Sequence, residues 1–394
     1  MSNAFAEGPH LLQIPGPSNV PGRIRRAISA PTNDHRGPGF GRMAASVLSD
    51  VRRVFKTEQP VVIYPSSGTG AWEAALVNVL VPGDRVLMFE TGHFAMLWQN
   101  MARRLGLDVT LVEGDWRHGV DPTEVEAILA EDKSHSIKAV CAVHNETSTG
   151  VTSRIGEVRA AIDRAGHPAL LLVDTISGLG SMDYRHDEWG VDVTVSGSQK
   201  GLMLPPGLGF NAVSEKARKV AAGVDSRQSY WRWDEMLEIN ATGYFPYTPA
   251  TNLLFGLREA LDMMFEEGLE RVFTRHARLG AATRAAVRAW GLEIQCLEES
   301  EYSNVLTAVR LPDGHDADAL RKLILERFNM SLGNGLGRIK GRVFRIGHLG
   351  ETNDALIAGT LAGVEMSLSL AGVPLQGSGM TAAMDVMKNG PRAA

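Results

Sequence analysis

Along the chain, apolar positions change their period several times. Between residues 41 and 56 they fall at Met43, Val47, Val51, Val54 and Phe55, the spacing of one helical face. Beyond that, short apolar runs alternate with longer mixed stretches. Residues 61–64, 85–89, 108–112, 138–144, 169–174 and 191–196 read as strands. Residues 68–80, 94–104, 122–130 and 155–165 read as helices between them. Pro82-Gly83-Asp84 stops the first of these helices, and Asp121 caps the third. Continuously apolar strands separated by helices predict an α/β fold with a mostly parallel sheet covered on both faces.

The texture changes near Asn252. A long helical region, 252–290 with a break at Gly268, leads into strand-like 292–295 and 304–310. A helix at 317–328, a glycine-rich stretch at 333–337, a strand at 342–346 and a helix at 354–370 follow. The expected organisation is an irregular N-terminal arm (1–40), a large domain (41–251) and a smaller α+β domain (252–394) that opens on the long linking helix and ends in a loosely held tail.

Composition narrows the function classes. The 394 residues are 44% apolar and carry a net charge of −5, without the basic surplus of a nucleic-acid binder. No apolar run reaches the ~18 residues of a membrane helix. The opening MSNAFAEGPH lacks the basic start and apolar core of a secretory leader. Two cysteines, Cys141 and Cys296, are too few for a disulfide framework and fit a cytoplasmic setting. The histidines show no H-E-x-x-H pairing, so no metal site is expected.

Three loops, each following a strand, carry the candidate chemistry. Pro65-Ser66-Ser67-Gly68-Thr69-Gly70 opens a helix and is either an ordinary N-cap or a phosphate cradle. Asp174 closes an apolar strand and is either a cap or ion-pair carboxylate, or the partner of a protonated ring nitrogen. Lys200, in Val195-Ser196-Gly197-Ser198-Gln199-Lys200-Gly201, is either a surface lysine or a desolvated amine able to bond a carbonyl. Phosphate cradle, carboxylate and amine together are what pyridoxal 5′-phosphate requires.

The stretch LLVDTISGLGSMDYRHDEWGVDVTVSGSQKGLMLPPGLGF resembles the class V branch of the fold-type I aminotransferases, in particular the serine–, alanine– and aspartate–glyoxylate group. PGPSNVP, SSGTGAWEAAL, HNETSTGV, YFPYTPATNLLFGLREAL and FRIGHLGETN match in the same order, over roughly residues 10–370. The resemblance implies a fold-type I enzyme that moves the amino group of an L-amino acid, serine in the first place, to glyoxylate. Aspartate is the alternative donor. A class V lyase of the desulfurase kind, or a non-enzymatic cofactor-binding protein, is the more remote alternative.

Carried over by position, Lys200 is the covalent attachment point and general acid/base, and Asp174 pairs with the pyridinium. Ser67, Gly68, Thr69 and Gln199 surround the phosphate, joined by Tyr247 and Thr248 across a homodimer interface, with a tetramer also open. Phe94 stacks on the ring and Thr147 lies near the ring hydroxyl or the substrate. Arg345 holds the substrate carboxylate, and Gly16, His35 and Arg36 are further candidate substrate contacts. A second substrate carboxylate would need another cation, for which Arg36, Arg42 and Arg227 are candidates.

Overall fold

The computed structural model describes residues 8–225 and 228–390. Arg227 and the first seven residues, on which the leader expectation rests, lie outside them. The chain begins with β1 (Leu11–Gln13), α1 (Gly22–Ile28), α2 (Pro38–Phe55), β2 (Val61–Ser66), α3 (Gly68–Val79), β3 (Arg85–Phe89), α4 (His93–Arg104) and β4 (Asp108–Val112). It continues through α5 (Pro122–Glu131), β5 (Ile137–Val143), β6 (Asn145–Glu146), β7 (Val151–Thr152), α6 (Ile155–Arg164), β8 (Leu170–Asp174), β9 (Val193–Gly197) and β10 (Gly207–Val213). Helices α7 (Glu215–Ala222), α8 (Trp233–Asn240), α9 (Thr251–Glu267) and α10 (Leu269–Ala289) follow. The last elements are β11 (Glu293–Ile294), β12 (Leu306–Arg310), α11 (Ala317–Phe328), β13 (Met330–Asn334), β14 (Val343–Gly347), α12 (Asp354–Leu370) and α13 (Gly379–Asn389).

The predicted α/β architecture is present. Seven strands form the larger sheet in the order β2-β10-β9-β8-β5-β3-β4. β4, β3, β5, β8 and β9 run parallel, and only β10 runs against its neighbours. Alternate residues face opposite cores: Leu171 and Val173 enter one apolar cluster, Leu170 and Leu172 the other. Burial on both faces explains why these strands read as unbroken apolar runs. Their carboxyl ends emerge on one side, where an open α/β sheet binds its ligands.

A second sheet, β1-β13-β14-β12-β11, packs with α10, α12 and α13 around its own core. Two sequence expectations change here. The N-terminal arm is not irregular throughout: β1 pairs in parallel with β13, and α1 lies against α9. The described part of the tail, 373–390, is not loose either. Ser378 Oγ accepts from Thr381 N at 3.4 Å to cap α13, whose Ala383 and Met387 are buried. Small residues permit this packing; a Cβ on Gly379 would fall 2.3 Å from Trp290 Nε1. The long helical region does break at Gly268, where φ is +87°, a conformation that favours glycine.

Candidate active site

β8 delivers Asp174 to the site. It sits at the carboxyl end of a fully buried strand and is itself 4% exposed. Its carboxylate accepts from Trp72 Nε1 at 3.0 Å and from Ile176 N at 2.6 Å. Burial, reinforced by the nearby Glu146 carboxylate, raises its pKa to about 7. A cation placed against it would remove that penalty.

The turn after β9 brings Lys200 alongside, 8% exposed. Burial and then the Arg345 guanidinium lower its amine to about 8, against the opposite pull of Asp174 and Glu146. Nζ donates to the carbonyl of Pro15 at 2.5 Å. The predicted desolvated lysine is thus present, and it is not a surface side chain.

The candidate phosphate cradle lies at the N-terminus of α3. Ser67 occupies the cap position with extended backbone and no side-chain capping bond, leaving the first N–H groups of the helix open. Ser67 and Thr69 are exposed and Gly68 is buried against Ile176, whose Cδ1 lies 2.4 Å from where a Cβ would stand. A Cβ on Gly197 would lie 3.1 Å from Gln199 Oε1 and 3.3 Å from Gly68 N, so the glutamine reaches this turn. Gln199 Oε1 is buried without a hydrogen-bond partner.

Arg345 comes from β14 of the second sheet. It is 6% exposed, donates to Thr147 O at 2.7 Å and Asn334 O at 2.8 Å, and burial lowers its pKa to about 10. Those two bonds leave guanidinium N–H donors for an anion. The contact with Thr147 ties the second sheet to the β6–β7 turn. Gly16 stands directly over Lys200: a Cβ there would fall 2.3 Å from Lys200 Cδ.

The fold therefore brings Gly16, Thr147, Asp174, Gln199, Lys200 and Arg345 together. Phe94 stands at the start of α4, tied to the same loop by its backbone N–H to Glu146 at 3.3 Å. His35 and Arg36 lie in the turn before α2, where Arg36 Nε donates to His35 Nε2 at 3.4 Å. Arg42 is exposed on α2. Tyr247 stacks on Tyr230 at 4.7 Å, and Thr248 is exposed.

Sequence reasoning missed several contributors. Trp72 lies inside the quoted SSGTGAWEAAL motif, but its contact with Asp174 spans 102 positions. Glu146 is fully buried and accepts from Phe94 N, Ala95 N, Ser148 N and Ser148 Oγ. It binds the N-terminus of α4 to the Thr147 loop. Its place in HNETSTGV was the available signal.

The desulfurase alternative needs an activated thiol. Cys141 is buried and its thiol is pushed well up; Cys296 is buried and pushed up to about 12. Among the described residues, no helix is long and apolar enough to cross a membrane.

The chain is 49% identical over 394 residues to the serine–glyoxylate aminotransferase of Methylorubrum extorquens, covering 98% of each chain. It is 47% identical over 378 residues to the L-aspartate–glyoxylate aminotransferase of Paracoccus denitrificans, covering 94% of each. The solved ureidoglycine–glyoxylate aminotransferase of Bacillus subtilis superposes with a TM-score of 0.89 at 27% identity, over 98% of this chain and 100% of that one. Residues 32–336 match the family model described as aminotransferase class-V, and the chain belongs to that family.

Proposed function

We propose that this protein is a pyridoxal 5′-phosphate-dependent aminotransferase that moves the amino group of L-serine to glyoxylate, giving glycine and a 2-oxo acid. The observation that carries the reading is the buried pair of Asp174, at the end of β8, and Lys200, in the turn after β9, within electrostatic reach of Arg345.

The residues present fit the cofactor. Ser67, Gly68, Thr69 and Gln199 would hold its phosphate, supported by the uncapped α3 N-terminus and the unpartnered Gln199 Oε1. Asp174 would meet the ring nitrogen, where a positive charge offsets the burial that raises its pKa to about 7. Phe94 would lie against the ring and Thr147 beside its edge. When bound, the ring supplies a sink for the electron pair left by a departing α-hydrogen.

The chain's own groups do the rest. Lys200, whose pKa burial lowers to about 8, provides the covalent attachment and then the amine that removes and returns the proton. Arg345 binds the carboxylate shared by donor and acceptor through the N–H groups not used on Thr147 and Asn334. Thr147, whose carbonyl accepts from Arg345 and whose neighbour Ser148 donates to Glu146, keeps the substrate and ring sides in register.

Serine is favoured because Arg345 accounts for one carboxylate, while Arg36 and Arg42 are exposed. The Methylorubrum relative's activity points the same way. The Paracoccus relative supports aspartate as the second reading. The working unit is a homodimer in the cytoplasm, with Tyr247 and exposed Thr248 reaching the partner's phosphate. A donor screen with glyoxylate, following glycine formation, tests the assignment. Preference for aspartate over serine would replace the first reading by the second, and no glycine from any donor would reject both.

A further inference from the structure

The segment between β1 and α1 runs across Lys200 as a strap. Lys200 Nζ donates to Pro15 O at 2.5 Å, Ser18 Oγ donates to Lys200 O at 2.8 Å, and Ser18 N donates to Gln199 O at 3.0 Å. The strap thus holds the lysine at its tip and at its backbone. Between these contacts Gly16 has φ +97°, and a Cβ there would lie 2.3 Å from Cδ and 2.5 Å from Nζ. No other residue type could occupy position 16 with the lysine in this conformation.

The strap is clamped from below by the sheet that carries Arg345. A Cβ on Gly347 would fall 2.3 Å from Ile14 O, and one on Gly333 would fall 2.8 Å from Pro15 Cδ. Ser18 is 5% exposed, and its Oγ lies 3.1 Å from where Gly350 would carry a Cβ. The Pro15 carbonyl is therefore a fixed acceptor, not a loop group free to turn away.

We propose that the Pro15 carbonyl, with the space left at Gly16, is a berth for the Lys200 amine whenever it is not bonded to the cofactor, and that Gly16 and Ser18 are positioning residues for proton transfer. The inference rests on Lys200 being the attachment lysine. A free lysine side chain is rich in rotamers and would sample many positions. A base must instead stay within hydrogen-bond reach of its proton. As the α C–H bond breaks, the Nζ lone pair forms a new N–H bond, and the C–H electron pair remains with the substrate. Nζ becomes an ammonium group, and one of its three N–H groups stays on Pro15 O. A carbonyl acceptor favours the charged form, which opposes the effect of burial on Lys200. The newly formed N–H bond, not the one on Pro15 O, then breaks as the proton passes to the acceptor position, and the neutral amine is restored.

Borohydride reduction of the holoprotein, followed by peptide mapping, reports the attachment residue. A label elsewhere than Lys200 overturns both this inference and the reading beneath it. The donor half-reaction is then followed by stopped-flow absorbance in Gly16→Ala and Ser18→Ala, with α-protiated and α-deuterated donor. Both variants should keep the Lys200 label. Gly16→Ala should slow the half-reaction ~100-fold, the scale of an ångström-sized misplacement. Ser18→Ala should slow it ~10-fold, the scale of one lost hydrogen bond. The deuterium effect should grow in both. If Gly16→Ala does not fold, Ser18→Ala carries the same test. A labelled Lys200 with unchanged rate and isotope effect overturns the berth alone. Slowing without a larger isotope effect also overturns it, because the strap would then serve binding and not proton transfer.

Discussion

His276 and His348 are buried more deeply than Lys200 and Asp174, yet every ring nitrogen is matched. His276 Nδ1 donates to Val272 O at 2.7 Å while Nε2 accepts from Gly350 N at 3.0 Å. His348 Nδ1 donates to Asn304 O at 3.0 Å, and Nε2 meets Thr307 Oγ1 at 3.1 Å. Burial lowers both pKa values to about 3, so both rings are neutral and have no capacity for a ligand. Around Lys200 the arrangement is the reverse. Asp174 is pushed up, Lys200 and Arg345 are pushed down, and Gln199 Oε1 is unpartnered. Burial alone does not mark a functional region. Neighbouring ionisable groups that burial shifts in opposite directions are the stronger signal.

The largest test of this contrast is Lys200→Ala. It should abolish the covalent attachment and lower the donor half-reaction by roughly 10⁴-fold, the upper range for losing a positioned acid/base. Circular dichroism should show an unchanged fold, and single-turnover absorbance reads the rate. Wild-type speed in this variant would remove the lysine from the chemistry.

Next comes Asp174→Asn, which keeps the shape and one of the two hydrogen bonds accepted from Trp72 and Ile176 but removes the charge. The half-reaction should fall by about 10³-fold, the scale of losing one preorganised electrostatic partner. Cofactor affinity, titrated by fluorescence, should change far less. Equal losses in rate and affinity would make Asp174 a binding group only.

Arg345→Lys retains positive charge and loses the planar fork. kcat/KM should drop ~100-fold, with most of the loss in KM for both donor and acceptor. A loss confined to one of the two substrates would show that they do not share the carboxylate site.

The smallest effect belongs to the satisfied region. His348→Leu leaves Asn304 O and Thr307 Oγ1 unmatched and should cost about 1–3 kcal/mol of stability, with kcat unchanged. Because the folded pKa of His348 lies below its ordinary value, the unfolded state binds the extra proton first. Its contribution is complete above pH ~6.5 and is lost as pH falls toward 3. Denaturant titrations from pH 7 to 4 should therefore show a shallower decline in the variant than in the parent. Identical slopes would mean that the ring is already protonated in the fold.

Much of this was written locally. The parallel strands were legible because a strand buried on both faces needs a continuous apolar run, as in Leu170–Asp174, and helix breaks were legible at Gly268. Lys200 and Asp174 stood out only together with the Ser67–Thr69 turn, as a carboxylate and an amine following apolar strands beside a phosphate cradle. Strand β10 was not legible: GLGFNAV has two glycines and an asparagine, and Asn211 satisfies its amide on Ala71 O, a partner 140 positions away. Helix α13 escaped because its fit depends on Gly379 lying against Trp290, and β1 escaped because three residues carry no period.

The sequence by itself determined which residue types could bond a carbonyl, meet a ring nitrogen or hold a carboxylate, since those are properties of side chains and of the strand ends that carry them. Only the tertiary structure decided what surrounds them. The Pro15 carbonyl reaches Lys200 across 185 positions, Arg345 reaches Thr147 across 198, and the shifts in proton affinity follow from burial that no local window contains. Charges and hydrogen bonds act through space, so their strength depends on which distant segments exclude water from them.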